Sequence, residues 1–555
     1  MAVHLLLILN NKSTYQGHMR RLAHFFSPRI LPLTLTFILC CSSLFAIFLT
    51  HSISFLPLFV IFLFLTLVGL HDILQEEHSV LRNYPITAHL RFILEEIRPE
   101  LRQYFMEDET HGFPFSRDKR AIVYQRAKLE PDKRPFGTQL NVYDEGYEWM
   151  MHSLSPSTIN HHDFRILVGG ETTTKPYEAS LFNISAMSFG ALSANAIRAL
   201  NAGAKAGHFA HNTGEGGYTP YHHEHGGDII WEIGSGYFGC RHLDGKFDPE
   251  KFAAQSINNQ IKMIELKLSQ GAKPGHGGLL PGSKVTAEIA SIRGVAVGKD
   301  CVSPAAHTAF TTPLELVEFI EELRKLSGRK PVGFKLCIGK PEEFFSICKA
   351  MLDTGLYPDF ITIDGKEGGT GSAPLEFMDH IGMPLREGLT FVHNSLIGIG
   401  LRDKIRLAVA GKIITAFDIA RAMALGADWC NSARGFMFSL GCIQSLKCHT
   451  DHCPTGIATQ DPARMQALVI PNKAQRVFHY HLETMKSLAE LTAAAGYDHP
   501  RQLKLSDFYR RINEREIASL RELYPQPQKN SFHSETIEQR FYQDWRAARP
   551  DRFHS

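Results

Sequence analysis

From about Phe164 to Gly496, short apolar runs alternate with helical patterns, and this alternation limits the folds open to the chain. The runs that read as strands are Leu181–Ser188, Gly294–Gly298, Pro331–Cys337, Phe360–Gly365, Ile405–Gly411 and Asp428–Gly435. Helical patterns lie between them, for example Pro313–Ser327, Pro341–Gly355 and Ala416–Ala427. Strand and helix in alternation over roughly 300 residues imply a parallel sheet. That length predicts an α/β protein built on a (β/α)8 TIM barrel with insertions. A doubly wound open sheet is the alternative, and no glycine fingerprint opens a first strand–turn–helix unit to favour it.

In a barrel the reactive groups sit at the C-terminal ends of the strands. Glycine and polar residues gather at such places here: Asn212–Gly217, Gly234–Gly239, Gly271–Gly282, Asp364–Pro374, Ala410–Lys412 and Asn431–Gly435. Glycine lets backbone N–H groups approach an anion or a flat ring closely. One such loop is usually only a turn; six in one domain, several beside Lys or Arg, predict a phosphorylated cofactor. Lys335 stands near the end of an otherwise apolar strand, where its charge is costly unless it meets an anion. The N1/O2 edge of a flavin is one such anion, and rim water is the plainer alternative.

The stretch Gly441–Gly456 carries Cys442, Cys448 and Cys453. With His449 or His452 they could bind zinc as Cys3His. They could hold an iron–sulfur cluster, since such clusters take closely spaced thiolates and Pro454 follows the third cysteine. They could also be structural thiols. Only ten cysteines occur in 555 residues. Cys240, Cys301, Cys337 and Cys348 lie in apolar contexts, which suits a reducing compartment and not a disulfide frame. The net charge of +2 gives no reason to expect a nucleic-acid partner.

Ile30–Thr50 and Ser52–Leu70 are uncharged runs, each near the roughly 20 residues that span a bilayer as helix. Lys12, Arg20, Arg21 and Arg29 precede them and Arg82 and Arg91 follow, whereas the turn at His51 has no Lys or Arg. The positive-inside rule then predicts a multi-pass hairpin in the inner, cytoplasmic membrane with the barrel in the cytoplasm. The expected division is a cytoplasmic segment 1–29, a transmembrane hairpin 30–70, a helical connector 71–155, the barrel 156–496 and a tail 497–555. Within the connector, Ala88–Phe105 places Leu90, Phe92, Ile93, Ile97, Leu101 and Phe105 near a helical period. Packing of this face on the main domain is expected over a membrane-surface placement.

Several segments together resemble the FMN-binding domain of glutamate synthase: Asn183–Ser193, Asn212–Gly217, GAKPGHGGLLPGSKV from Gly271, DGKEGGTGSAP from Asp364, and GCIQSLKCHTDHCPTGIATQDP from Gly441. The resemblance covers about Ser185 to Gly496. It implies a (β/α)8 barrel carrying FMN and a 3Fe-4S cluster, with Cys442, Cys448 and Cys453 as the cluster ligands. Met187, Ser188, Ser303 and Lys335 would line the flavin. Gly369 and Gly371, with Gly411 and the turn of Ser432, Arg434 and Gly435, would take its ring edge or phosphate. Glu215, Lys273 and Arg293 would surround flavin and 2-oxo acid, as anion holders in the case of the cations and for proton handling or amine binding in the case of Glu215. Arg293 could hold a carboxylate with two hydrogen bonds.

The implied reaction is reductive amination of a 2-oxo acid, by default 2-oxoglutarate to L-glutamate, by hydride transfer from the reduced flavin to an imine. Ammonia or an amine would supply nitrogen, and ferredoxin or a separate reductase the electrons; a separate amidotransferase subunit is a possible partner. Three departures bear on substrate and cofactor. His276 stands where the family has Glu, Leu279 where it has Gln, and the family's Asp-Gly-Gly reads Ala410-Gly411-Lys412 here. Leu279 can neither donate nor accept a hydrogen bond. An N-substituted amino acid made from an alkylamine is therefore an alternative product, and a non-catalytic, membrane-tethered flavin redox component a second alternative. A 2-hydroxy-acid oxidase would leave the cysteines without a reason.

Overall fold

The computed structural model describes residues 27–533 and 539–554. Lys12, Arg20 and Arg21, on which the expected orientation partly rests, lie outside the described residues. Two compact units are present, residues 1–107 and 108–555.

The larger unit is a closed barrel of eight parallel strands: β1 Phe182–Ile184, β2 His211–Asn212, β3 Ile229–Ile233, β4 Ile261–Lys267, β5 Val332–Leu336, β6 Phe360–Asp364, β7 Arg406–Ala410 and β8 Trp429–Ser432. Each strand pairs with the next, and β8 closes on β1 through Asn431 opposite Asn183. The expected barrel is therefore the fold. Helices start where local chemistry allows: Thr312 caps Pro313–Leu326 by accepting from the Glu315 N–H at 3.2 Å, and Glu315 accepts in return from the Thr312 N–H at 3.2 Å. Thr415 and Asp418 make the same reciprocal box at Ala416–Ala424.

Gly294–Gly298 is not a strand. It is the loop that leaves the helix Ala287–Arg293, with Gly294 and Gly298 both at positive φ and Val297 exposed. The connector and tail are not passive either. Glu148–Met150 pairs with Phe508–Arg511, which pairs with Ile517–Ser519, so one three-stranded sheet joins both segments. Phe532, Phe541 and Trp545 of the tail close around Phe345.

The barrel interior near the C-terminal strand ends is charged. Lys335 forms a buried ion pair with Glu232 of β3 and lies 3.7 Å from Glu265 of β4. Glu265 accepts from Asn212 Nδ2 at 2.7 Å and from Thr362 Oγ1 at 2.6 Å. Lys335 thus meets protein carboxylates, not rim water. The opposite end is held by Asp359, buried, which accepts from the Val332 N–H (2.8 Å), Arg324 Nε (3.1 Å) and Thr172 Oγ1 (2.6 Å).

In the smaller unit, helices Leu31–Thr50 and Ile53–Leu74 are long and apolar enough to cross a membrane. Gly69 lets them meet: a Cβ there would lie 2.7 Å from Leu33 Cδ1. The helical stretch from Ala88 to Met106 belongs to this unit, which does not itself cover the apolar face: Leu90, Ile93, Ile97, Leu101 and Phe105 are all exposed.

Asp359→Ala takes from the buried Arg324 one of its two carboxylates, leaving Glu321, and unpairs the Val332 N–H and the Thr172 hydroxyl. Loss of one partner of a buried pair costs up to about 3–5 kcal/mol. The variant should melt several degrees below the parent by scanning calorimetry, with Asp359→Asn in between; an unchanged midpoint would contradict this account of the barrel's lower end.

Candidate functional site

Two adjoining cavities open at the C-terminal ends of the strands. The larger encloses about 1010 Å3, part of it open to solvent. Its wall includes Met187 and Ser188 after β1, Glu215 after β2, Lys273, Leu279, Arg293 and Ser303 from the long excursion after β4, Gly369 and Gly371 after β6, Arg434 after β8, and Cys448. The smaller, about 560 Å3, lies over β6–β8 and is lined by Lys335, Gly369, Gly411, Ser432 and Arg434. Ala186, Gln270, Gly369, Ala433 and Arg434 border both cavities. Of the expected residues, Gly435 lies behind the wall, where a Cβ would strike Tyr480 Oη at 2.5 Å. His276 lines only a small side cavity, its ring edge-on to Phe377.

Glu215 is caged by cations. Its carboxylate lies 3.4 Å from Lys267 Nζ and accepts from Ser303 Oγ at 3.2 Å. Burial would raise its pKa, but Lys267, Arg293 and Lys273 outweigh burial and hold it below the ordinary value. Glu215 is therefore an ionised acceptor and not a proton donor at neutral pH. Gly278 makes room for it, since a Cβ at that position would sit 2.0 Å from Glu215 Oε1. Lys273 is buried, and its ammonium has no hydrogen-bond partner among the described residues. Burial lowers its pKa, countered by Glu215 and helped by Lys267. Arg293 is largely committed already: Nη2 donates to Phe189 O at 2.9 Å and to Ser188 Oγ at 3.3 Å, while the buried Nε has no partner among the described residues. It fixes the loop after β1 and does not offer a free fork to a carboxylate.

Lys335 is held as an ammonium. Burial opposes the charge, but Glu232, Glu265 and Asp364 outweigh it and raise the pKa.

Sequence reasoning missed several residues of the wall: Glu232, Lys267 and Gln270 in the larger cavity, and Phe115 and Lys412 in the smaller. Lys412 adopts φ +51° and holds its ammonium 5.7 Å from the Phe115 ring centroid, with no hydrogen bond among the described residues. Phe115 is clamped by Gln444, whose side chain accepts from its N–H (3.2 Å) and donates to its carbonyl (3.3 Å). A Phe in a polar stretch carries no signal of such a role; the lysine after Gly411 did.

The cysteine loop is backed against these cavities. Cys442 and Cys448 are half-buried and Cys453 buried. Burial pushes the Cys442 thiol up to about 11, with Cys448 and Cys453 adding to the rise. Burial also raises Cys453, but the Thr455 hydroxyl and the N–H groups of Ala458, Thr455 and Ile457 outweigh it, so this sulfur sits in a donor nest suited to a thiolate. No three His, Cys, Asp or Glu side chains converge on a single-ion site among the described residues. Gln444, Leu446 and Asp451, none of them glycine, adopt positive φ within this loop. Such conformations persist only where the surroundings impose them. Here Tyr124 Oη donates to Cys442 O at 2.6 Å, and Lys284 Nζ donates to Ala191 O (2.8 Å), Ala458 O (3.1 Å) and Cys448 O (3.3 Å).

Residues 155–498 match the family model described as the conserved region in glutamate synthase. The chain belongs to the glutamate synthase family. It is 40% identical over 473 residues to the glutamate synthase large subunit-like protein YerD of Bacillus subtilis strain 168, covering 78% of this chain and 90% of that one. It is 34% identical over 345 residues to the archaeal glutamate synthase [NADPH] of Methanocaldococcus jannaschii, and 36% over 279 residues to the archaeal-type glutamate synthase [NADPH] of Thermotoga maritima. Those matches cover 61% and 50% of this chain, and 64% and 52% of the two relatives. This glutamate synthase family member is thus an oxidoreductase by kinship, with its expected site residues gathered mostly at one end of the barrel.

His307 steadies the wall. Its Nε2 donates to Lys267 O at 2.8 Å and its Nδ1 accepts from Tyr237 Oη at 3.0 Å. Burial brings its pKa down to about 4. The folded ring therefore stays neutral where an unfolded histidine, near 6.5, takes up a proton. Its stabilising share is whole at neutral pH and is lost as pH falls from about 6.5 towards 4. The thermal midpoint should drop across that window, and less steeply in His307→Gln; equal slopes would remove His307 from the cause.

Proposed function

We propose that this chain is a membrane-anchored flavoenzyme that reductively aminates a 2-oxo acid, by default 2-oxoglutarate to L-glutamate, using FMN and a 3Fe-4S cluster. The observation that carries the reading is continuity: a glycine-lined cavity over β7 and β8 shares Gly369, Ala433 and Arg434 with a cavity of lysines, and Cys448 stands on the wall of the latter. Phosphate sites of TIM barrels recur after strands 7 and 8. Gly411, at φ +148°, and the unpaired Lys412 fit a phosphate there, while Gly369, Gly371, Met187 and Ser188 leave flat walls for a ring. The donor nest around Cys453 fits a thiolate-bound cluster held by the cysteines of this loop. When bound, flavin supplies hydride chemistry and a cluster supplies single-electron exchange with a donor.

The chain's own residues then divide the work. Lys273 and Lys267 present ammonium groups to an anionic 2-oxo acid. Glu215, kept ionised by its cation cage, accepts hydrogen bonds from the incoming amine; of its two expected roles this is the one the geometry supports. Arg293 holds the loop after β1 and adds positive field. Lys335 stands beneath the ring site as a fixed charge, balanced by Glu232 and Glu265. Ammonia or an amine is the nitrogen source, with a separate amidotransferase subunit as a possible supplier, and ferredoxin or a separate reductase the electron source. Leu279 and Leu280 on the wall favour an alkylamine as second substrate, giving an N-substituted amino acid. Leu31–Thr50 and Ile53–Leu74 anchor the protein in the inner membrane with the barrel in the cytoplasm.

The purified chain should be yellow-brown and bleach with dithionite. Reduced protein should reoxidise, in the absence of oxygen, only when 2-oxoglutarate and ammonia, or 2-oxoglutarate and methylamine, are added together. No response to either pair would sink the enzymatic reading. Lys412→Ala should raise the Kd for FMN about tenfold, a loss of roughly 1.4 kcal/mol. Cys448→Ser should abolish the paramagnetic signal of the oxidised cluster while flavin remains bound; an unaltered signal would reject the ligand assignment.

A further inference from the structure

The helical stretch Ala88–Met106 turns the wrong way for a soluble protein. The stretch is built of helices Ala88–Glu96 and Arg98–Leu101 and the π-helical turn Arg102–Met106. At about 100° per residue, Leu90, Ile93, Leu94, Ile97 and Leu101 fall within an arc of about 100°, and Phe105 follows in the π turn. Leu90 is 62% exposed, Ile93 54% and Phe105 82%. The residues facing its own unit are instead Ala88, which is buried, and Phe92, whose ring centroid lies 5.6 Å from that of His78. An apolar face of this size left uncovered marks an interaction surface.

Two observations say what covers it. The first is position. Asp72, fully buried near the end of the helix Leu56–Leu74, accepts from the Ile86 N–H at 2.9 Å and from His89 Nε2 at 2.9 Å. The start of the amphipathic stretch is therefore pinned to the end of the second candidate span. If that helix crosses a bilayer, its end lies at the headgroup level, and so does the arc. The second is charge. Arg91, Arg98 and Arg102 are all exposed along one edge of the arc, Arg91 paired with Glu95 at 2.8 Å and Arg102 with Glu107 at 3.6 Å, so that Arg98 is the one without a carboxylate partner among the described residues, while Glu96 and Glu100 lie towards the other edge. A helix lying in the interface buries its apolar face at the acyl boundary and sets basic residues against anionic headgroups.

We propose that Ala88–Met106 is an in-plane membrane helix that binds the surface of an anionic lipid bilayer beside the hairpin. This rests on the hairpin reading proposed above and extends it: the spans hold the protein in the membrane, and the helix fixes the depth and orientation at which the chain leaves it.

The test uses the full chain reconstituted in phosphatidylcholine vesicles with or without one quarter phosphatidylglycerol. Phe105→Trp, at an exposed position, serves as reporter against the parent protein. Lipids brominated near the headgroup should quench the added fluorescence, and lipids brominated deep in the chains should quench it less. Arg91→Gln/Arg98→Gln/Arg102→Gln in the reporter background should roughly halve the shallow quenching in anionic vesicles and leave neutral vesicles unchanged. Alkaline carbonate extraction separates the two readings. If the protein stays with the vesicles yet the reporter is not quenched, the arc has a protein occupant and the proposal fails while the hairpin stands. If carbonate releases the protein, the hairpin fails and the in-plane helix with it. Equal quenching in both lipid mixtures would overturn the part assigned to the arginines. Ile93→Ser/Leu101→Ser in the reporter background should lower the quenching without altering carbonate resistance; undiminished quenching would also count against the arc.

Discussion

A lysine ammonium inside a barrel of hydrocarbon is the constraint from which the site follows. Lys335 is buried on β5, and such a charge survives only with partners. It finds them on neighbouring strands, in Glu265 on the adjacent β4 and Glu232 on β3, and Glu265 is tied in turn to Asn212 on β2 and Thr362 on β6. Five consecutive strands contribute to one polar layer. That layer is buried and cross-linked from strand to strand, so it forms a floor on which the loops above can place charged groups. Glu215 and Lys267 continue it upward, and Lys267 is the hinge between floor and cavity: its ammonium faces Glu215 while its carbonyl accepts from His307.

The same layer explains which strands were legible. Leu181–Ser188, Pro331–Cys337, Phe360–Gly365 and Ile405–Gly411 read as strands because apolar residues fill at least half of each run, and Asp428–Gly435 because Trp429 and Cys430 open it and a glycine turn closes it. The strands Ile229–Ile233 and Ile261–Lys267 escaped because Glu232, Glu265 and Lys267 break the apolar run, and those are the inward groups of the floor. His211–Asn212 is two residues long and buried, too short for any period to show. Gly294–Gly298 misled for the opposite reason: it alternates apolar residues and glycine but closes a helix instead of entering a sheet. Local pattern reports burial against hydrocarbon, and this barrel is least like hydrocarbon where it matters.

The site was legible where glycine and cysteine carry it and illegible where one long-range contact does. The glycine loops after β2, β3 and β4 were placed correctly even though those strands were not named, because a glycine cluster marks close backbone approach whatever precedes it. Phe115 and Lys284 could not be found that way. Phe115 becomes a wall residue only because Gln444, 329 positions later, holds both its backbone groups. Lys284 matters because three carbonyls from separate segments converge on it. Arg293 was identified, but its use was not: the fork expected to bind a carboxylate is spent on the loop after β1.

One short helix joins the two halves of the proposed chemistry. Arg434–Leu440 begins at the turn after β8, on the wall of both cavities, and Cys442 follows its end directly. Seven residues at about 1.5 Å each make a rod of roughly 10 Å. Its first residue, Arg434, donates to Thr370 O in the glycine loop after β6 and lowers the Cys442 pKa against the effect of burial. The distance between the glycine-lined cavity and the first cysteine is therefore set by a rigid element and not by a flexible linker. Lys284 fixes the other side, tying Cys448 to the loop after β1 that walls the larger cavity. A loop carrying three non-glycine residues at positive φ would relax if either tether were loose. Rigid coupling of these walls is what the proposed electron exchange would require, and the chain builds it from a helix, a lysine and one arginine.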